Sequence, residues 1–418
     1  MANTLQRRKF MKLLSGTSLV LTGIPLAATA KGLANEGNGQ APASGKQDNT
    51  GTADSYNFLT KPYLQNPEPD AMSIYWLVNR PSHSWVECWE EGKEKKKGET
   101  VISGMVVAQN RMNRIRVEGL KANTVYNYRV FSKEIITFEP YKKVFGETLT
   151  SDTYQFTTPD PSADKVSLLI LNDIHDRPQS FSQLEKLNGG DHYDMVFLNG
   201  DMFDHQNNEQ QLVDHLIQPC CDVFATKTPF LFVRGNHETR GVFSYELGNY
   251  FENMGRSPYF TFKRGPVFFI ALDTGEDKED NHEAYYGLAA FDAFREKQAA
   301  WLDQVLQQKE ARKAAYRVVL MHIPLFHSGD WHGTMHCRKV FAPLFEKYKV
   351  DMVISGHTHR YGVHEPQAEH SYPIIIGGGP KDGNRTIIKL KADKEQLSIN
   401  MIADNGTQVG EYKLKPRR

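Results

Sequence analysis

Two rhythms of apolar and polar residues divide the chain. Between residues 55 and 158 apolar positions alternate with polar ones, as in "MSIYWLV" (72–78), "HSWVECWEE" (83–91), "NRIRVEGL" (113–120), "VYNYRVFS" (125–132) and "SDTYQFTT" (151–158). Period-two runs separated by turn residues predict short antiparallel strands folded into a sandwich. Pro159 and Pro161 mark its end. From Lys165 the runs are apolar throughout: "VSLLIL", "MVFLNG", "FLFVRG", "VFFIALD", "RVVLMHI" and "DMVISG". Between them lie helical stretches, most clearly 208–225 and 295–314. Strands apolar on both faces and separated by helices predict an α/β sheet covered on both sides. The short β runs after Tyr372 are expected to extend the sheets of the same domain, which spans 165–418.

Composition sharpens this picture. A chain of 418 residues with 39% hydrophobic and 24% charged positions is ordinary globular material, and its length exceeds the roughly 250–300 residues of a single core. Formal net charge is zero. No basic run points to nucleic acid, and Lys93–Lys97 reads as a solvated hairpin tip. Residues 1–30 carry a basic start, a moderately apolar stretch and Ala28-Thr29-Ala30, the layout of an export signal too short and interrupted for a stable membrane span. Arg7-Arg8-Lys9-Phe10 resembles the twin-arginine consensus, which implies a bacterial protein exported folded by that machinery to the periplasm or beyond; an ordinary secretory signal is the alternative. Removing these residues leaves 46 basic against 50 acidic side chains, a charge of −4. Residues 31–54 lack any period and read as a disordered linker. Cys88, Cys220, Cys221 and Cys337 match no zinc spacing and are too sparse for a disulfide framework.

Candidate chemistry gathers just past the carboxyl ends of the apolar runs, where open α/β sheets place their sites. Asn172-Asp173-Ile174-His175 follows the first, Gly200-Asp201-Met202-Phe203-Asp204 the second and Gly235-Asn236-His237-Glu238 the third. His322 and then Gly356-His357-Thr358-His359 close two more. Each fragment alone is weak, since a Gly-Asp at a strand end is usually a turn and a lone histidine is usually packed in a core. Five in order make a ligand set. Carboxylate, amide and imidazole without thiolate suit Mn, Fe, Zn or Co, and the number of donors suits two ions sharing one carboxylate.

The series D-x-H, G-D-x-x-D, G-N-H-E, lone H and G-H-x-H is similar to the signature of calcineurin-like metallophosphoesterases, and all five blocks stand intact within residues 165–365. Upstream, "KPYLQNPEPDAMSIYW" (61–76) resembles the opening of the N-terminal domain of purple acid phosphatases, and residues 120–128 resemble the tyrosine corner of fibronectin III domains. The resemblance implies a four-layer αββα sandwich preceded by an all-β fibronectin III-like domain over 55–158. It implies that Asp173, His175 and His359 hold one divalent or trivalent metal ion, that Asn236, His322 and His357 hold a second, and that Asp201 bridges them. His237 would contact the substrate phosphate and help protonate the leaving group. Purple acid phosphatases carry Gly where His175 stands and a tyrosine ligand where Asp204 stands, so this chain is expected not to be purple. Asp204 is then free to orient His237 or a ligand histidine, or simply to cap a helix. A water shared by the two ions would become a hydroxide near neutral pH and attack phosphorus in line.

A small-molecule phosphate ester is the implied substrate, with the monoester favoured and a diester of nucleotides or phospholipid headgroups as the alternative. A non-catalytic surface-binding protein would be marked by a lost ligand, and none is lost. A nuclease is opposed by the export signal and the lack of a basic run. Arg240 is a candidate for a phosphate oxygen and His327 for the rim of the site, in a stretch read as a Gly-containing loop with His332 and His336. Phe243, Tyr245 and Trp331 read first as packing residues.

Overall fold

The computed structural model describes residues 55–417; the export signal read over 1–30 and the linker read over 31–54 lie outside the described residues. The continuous apolar runs form two six-stranded sheets. In the first, the order is Phe230–Val233, Met195–Asn199, Val166–Leu171, Thr386–Ala392, Leu397–Ala403, Gln408–Leu414. In the second it is Phe260–Arg264, Val267–Leu272, Tyr316–Met321, Met352–Ser355, Ile374–Ile376, Gly362–His364. The first three strands in chain order pair in parallel, as do the four central strands of the second sheet.

Side-chain alternation explains why these runs are apolar throughout. Leu168 and Ile170 face a core shared between the two sheets, where they join Phe269, Ala271 and Val318. Their neighbours Leu169 and Leu171 face outward onto the helix Gln179–Lys186 and the helical segment 209–225. In the second sheet Phe268, Ile270 and Leu272 face outward instead, under the helices Phe291–Leu306 and His332–Tyr348. Helix, sheet, sheet, helix is the resulting order of layers. The C-terminal β runs extend both sheets.

The helices depart from the expected ones in instructive ways. Segment 209–225 is helical as its pattern predicts, and Asn208 caps it by accepting from the Gln211 N–H at 2.9 Å. It contains two wide turns, Val213–Ile217 and Cys221–Ala225, on either side of Pro219, which has no N–H to give. The next helix begins at Phe291, a turn earlier than its pattern suggests, because the Asp280 carboxylate accepts from Phe291 N at 2.7 Å and Asp292 N at 3.1 Å. The stretch read as a loop around His332 and His336 is a correction: it is the first turn of the helix His332–Tyr348, whose Cys337, Phe341 and Phe345 recur every four residues and are buried. All four cysteines are buried and free.

Residues 55–158 form nine strands, seven joined in one hydrogen-bonded sheet and two in a separate hairpin, Val101–Ile102 with Met105–Val106. The two runs at 72–78 and 83–91 belong to one strand of 19 residues, Ala71–Trp89. It pairs with Ala108–Glu118 along its first half and with Val125–Phe138 along its second, changing partner around Ser82 and His83. Trp76, Val86, Ile115, Tyr128 and Phe156 fill the core so enclosed. Tyr63 and Tyr75 leave that core and pack with Leu169, Phe181 and Phe230 of the α/β region. Among the described residues no helix is long and apolar enough to cross a membrane.

Candidate metal centre

Parallel strands in both sheets end on the same side of the molecule, and the turns that follow them carry the polar motifs. Reversing the chain there takes unusual backbone. Asp173, His175, Asp201, His357 and His359 all have φ between 50° and 72°, a left-handed conformation costing of order 1 kcal/mol or more per non-glycine residue. Backbone bonds between the turns hold it in place: Asp173 N–H donates to Gly200 O, His175 N–H to Asp201 O and Gly356 N–H to His322 O, each at 3.0 Å. Gly200 is required here, since a Cβ would lie 2.6 Å from Gly235 N and from His322 Nδ1 at a φ of +83°.

These turns bring all seven expected ligand positions together. Donor atoms of Asp173, His175, Asp201 and His359 converge in one cluster, and those of Asp201, His322 and His357 in a second, with Asp201 common to both. Asn236 Oδ1 lies 2.9 Å from His357 Nδ1. Tautomers follow from the partners. His175 Nδ1–H donates to the Asp204 carboxylate at 2.9 Å, and His322 Nδ1–H to Asn199 O at 2.8 Å. In each ring, once neutral, Nε2 is then the nitrogen that carries the lone pair. That of His175 faces His359 Nε2 at 3.0 Å and Asp201 Oδ2 at 3.6 Å. That of His322 is fully buried 2.9 Å from Asp201 Oδ2, yet out of line for a hydrogen bond and without a partner. Lone pairs and carboxylates directed at common points, wholly inside the protein, are a donor set that fits bound cations. The same convergence sets the electrostatics. Burial alone would raise the Asp173 carboxyl, but His175, His322 and His359 overcome it and hold it well below the usual range. His322 is raised despite burial by Asp201 and Asp173, so a metal ion there must displace its proton.

Around the cluster, Asp204 serves two histidines at once: its carboxylate holds His175 and its main-chain oxygen accepts from His237 Nδ1–H at 2.6 Å. It caps no helix, that role falling to Asn208. His237 Nε2 accepts from Arg240 Nη1 at 2.9 Å, and Arg240 Nη2 is held by Glu276 at 2.7 Å. Burial, with Arg240 alongside, pushes His237 below its ordinary range against the pull of Asp201. Glu238 does not touch the His237 ring. It is buried and accepts from the N–H groups of Asp201 (2.8 Å), Met202 (2.6 Å), Phe203 (3.3 Å) and Gly235 (2.6 Å), tying two ligand turns together. Burial, aided by the Asp201 charge, raises its carboxyl to about 7, against those donors.

The structure sets His327 apart from this group. It stacks on His364 with ring centroids 3.8 Å apart, and its Nε2 faces His370 Nε2 at 3.0 Å. His332 and His336 lie against Asp292 at 2.9 and 3.3 Å. One participant escaped the sequence reading although its signal was the same as the others': the apolar run "VFFIAL" also ends in polar residues, Asp273-Thr274-Gly275-Glu276. Glu276 is the carboxylate that holds Arg240, and it also accepts from the Tyr285 hydroxyl.

Residues 166–361 match the calcineurin-like phosphoesterase family. With the relatives below, this likeness makes the chain a metal-dependent phosphoric ester hydrolase. It is similar to the probable purple acid phosphatase 20 of Arabidopsis thaliana, 24% identical over 377 residues that span 83% of this chain and 79% of that protein. Among solved structures it is similar to the purple acid phosphatase PPD1 from seeds of yellow lupin (Lupinus luteus), with a TM-score of 0.64 at 15% identity, covering 85% of this chain and 74% of the other. PhoD superposes with a TM-score of 0.61 at 13% identity, covering 87% and 90%. At such identities the two structural likenesses concern the fold.

Proposed function

We propose that this protein is an exported phosphoesterase that cleaves phosphate monoesters at a centre of two metal ions. The observation that supports it most is Asp201, whose carboxylate belongs to both donor clusters. On this reading Asp173, His175 and His359 hold one ion, Asn236, His322 and His357 the other, and Asp201 both; the oxygen and imidazole donors suit Mn, Fe or Zn. Two cations there supply Lewis acidity to the phosphoryl oxygens and acidify a water for in-line hydrolysis. The chain's own groups position the reaction. Asp204 fixes the plane of His175, and its main-chain oxygen keeps the proton of His237 on Nδ1, so that Nε2 faces the ester. Arg240 occupies that nitrogen in the resting geometry. Its shift onto a phosphoryl oxygen frees Nε2 to carry the leaving-group proton. With aspartate rather than tyrosine at position 204, the loaded protein lacks a phenolate-to-metal absorption band and is not purple.

Similarity to proteins described as phosphatases supports the monoester, and the twin-arginine-like start supports export to the periplasm or outside the cell. For residues 55–158 the fibronectin III-like reading is supported by the corner bond from Lys121 N–H to the Tyr126 hydroxyl at 2.9 Å. The test is hydrolysis of p-nitrophenyl phosphate against bis-p-nitrophenyl phosphate by protein loaded separately with Mn²⁺, Zn²⁺ or Fe, with Asp201→Asn as control. The monoester is expected to be cleaved faster and the control to lose about a hundredfold or more in kcat/KM. Preference for the diester overturns the monoester reading, and bound metal without cleavage of either ester overturns the enzyme.

A further inference from the structure

Beside the metal centre, between residues 239–258 and 276–294, runs a groove of about 1200 Å³. None of the seven expected ligands lines it, but Arg240 stands on its wall and reaches back to His237 Nε2 at 2.9 Å. The His237 ring lies 4.7 Å from that of His175, so groove and centre are neighbours across one side chain. Its walls are unusual in two respects. Tyr245 and Leu288 are 76% and 79% exposed at its edges, above part-buried Phe251, Phe291 and Phe294. Four of the five cations on it are already matched: Arg234 pairs with Asp273, Arg240 with Glu276, Arg256 with Glu252 and Lys278 with Asp277; the fifth, Arg114, comes from the β-rich region. A second anionic group settling beside Arg234, Arg240, Arg256 or Lys278 would have to break an ion pair, whereas an apolar group would only cover exposed carbon.

We propose that this groove receives the alcohol half of the ester, and that this alcohol is bulky, uncharged and apolar. The inference rests on the phosphoesterase reading above and adds the substrate class. The phosphoryl group lies at the metal centre, the ester oxygen passes Arg240, and the leaving group lies between Tyr245 and Leu288. Small polar alcohols leave the groove wet and gain nothing from it.

The test is calorimetric titration of the metal-loaded full chain with two non-hydrolysable probes, 1-naphthylphosphonate and methylphosphonate. The naphthyl probe is expected to bind at least about tenfold tighter, the gain of covering a bicyclic apolar surface. Tyr245→Ser and Leu288→Asp, both at exposed positions, are expected to remove that gain and leave methylphosphonate affinity unchanged. Equal affinity for the two probes overturns the inference, as does equal weakening of both by the variants. If methylphosphonate binds and a small ester turns over without a naphthyl preference, the groove assignment falls while the phosphoesterase stands. If neither probe binds and no ester is cleaved, both fall together.

Discussion

Asp204 is half exposed, yet it fixes a histidine ring that is almost fully buried. A carboxylate in that position sets the His175 tautomer and aims its lone pair, and such outer partners are typically worth about 10–100-fold in metal affinity or activity. Asp204→Ala is therefore expected to weaken metal binding by about that factor in a competitive chelator titration, while Asp204→Asn, which keeps an acceptor oxygen, recovers most of it. Unchanged affinity in Asp204→Ala would reduce Asp204 to a surface residue. Glu238 acts differently: by accepting four backbone N–H groups it secures the turns that carry the ligands rather than any ligand side chain. Although it follows His237 directly in the chain, it makes no bond to that ring, because adjacent residues on a tight turn point apart.

Among the elements, the strands of the α/β region were legible because burial on both faces leaves only apolar residues in them, and the convergence of the candidate donors was legible because each donor follows such a strand directly. Features set by distant partners were not. Asp280 starts a helix eleven residues away, at Phe291, and Glu276 acquires meaning only through Arg240. The helix His332–Tyr348 was obscured by the glycine and histidines of its first turn, although its Cys337–Phe341–Phe345 period was present. The histidine group at His327, His364 and His370, which ties the loop after Tyr316–Met321 to the edge strand Gly362–His364, was equally invisible. Burial and then its neighbours His364, His370 and Arg338 push His327 down to about 4, with Glu369 pulling weakly the other way. Its folded pKa thus lies below the unfolded value of about 6.5, so the unfolded chain takes up that proton first as pH falls. The contribution is full above about pH 6.5 and is lost as pH falls towards 4. Between those limits the melting temperature of the wild type is expected to fall more steeply than that of His327→Gln; parallel curves would contradict the coupling.

The whole molecule joins its β-rich N-terminal region to the catalytic layers through buried polar bonds as well as apolar contact. Tyr63 and Tyr75 donate from one region to Tyr250 O and to Glu252 in the other, both at 2.8 Å, and Tyr128 donates to Thr226 O at 2.8 Å. Arg114 of the same region lines the apolar groove. No local pattern in the sequence announces such a junction, since each partner lies about 100 residues or more from the other. Because the two regions share one cluster of buried side chains, calorimetry is expected to show a single cooperative unfolding transition. Tyr75→Phe, which leaves the buried Glu252 short of a donor at a cost of about 1–3 kcal/mol, should lower its midpoint without splitting it. Two separate transitions would mean that the regions fold independently.

At this scale the central claim is that a single carboxylate, Asp201, unites two metal sites. It is tested most directly by elemental analysis of exhaustively dialysed, metal-loaded protein, wild type beside Asp201→Asn. Two ions per wild-type chain and one or none in the variant are predicted. One ion in the wild type, or two retained without Asp201, would contradict it.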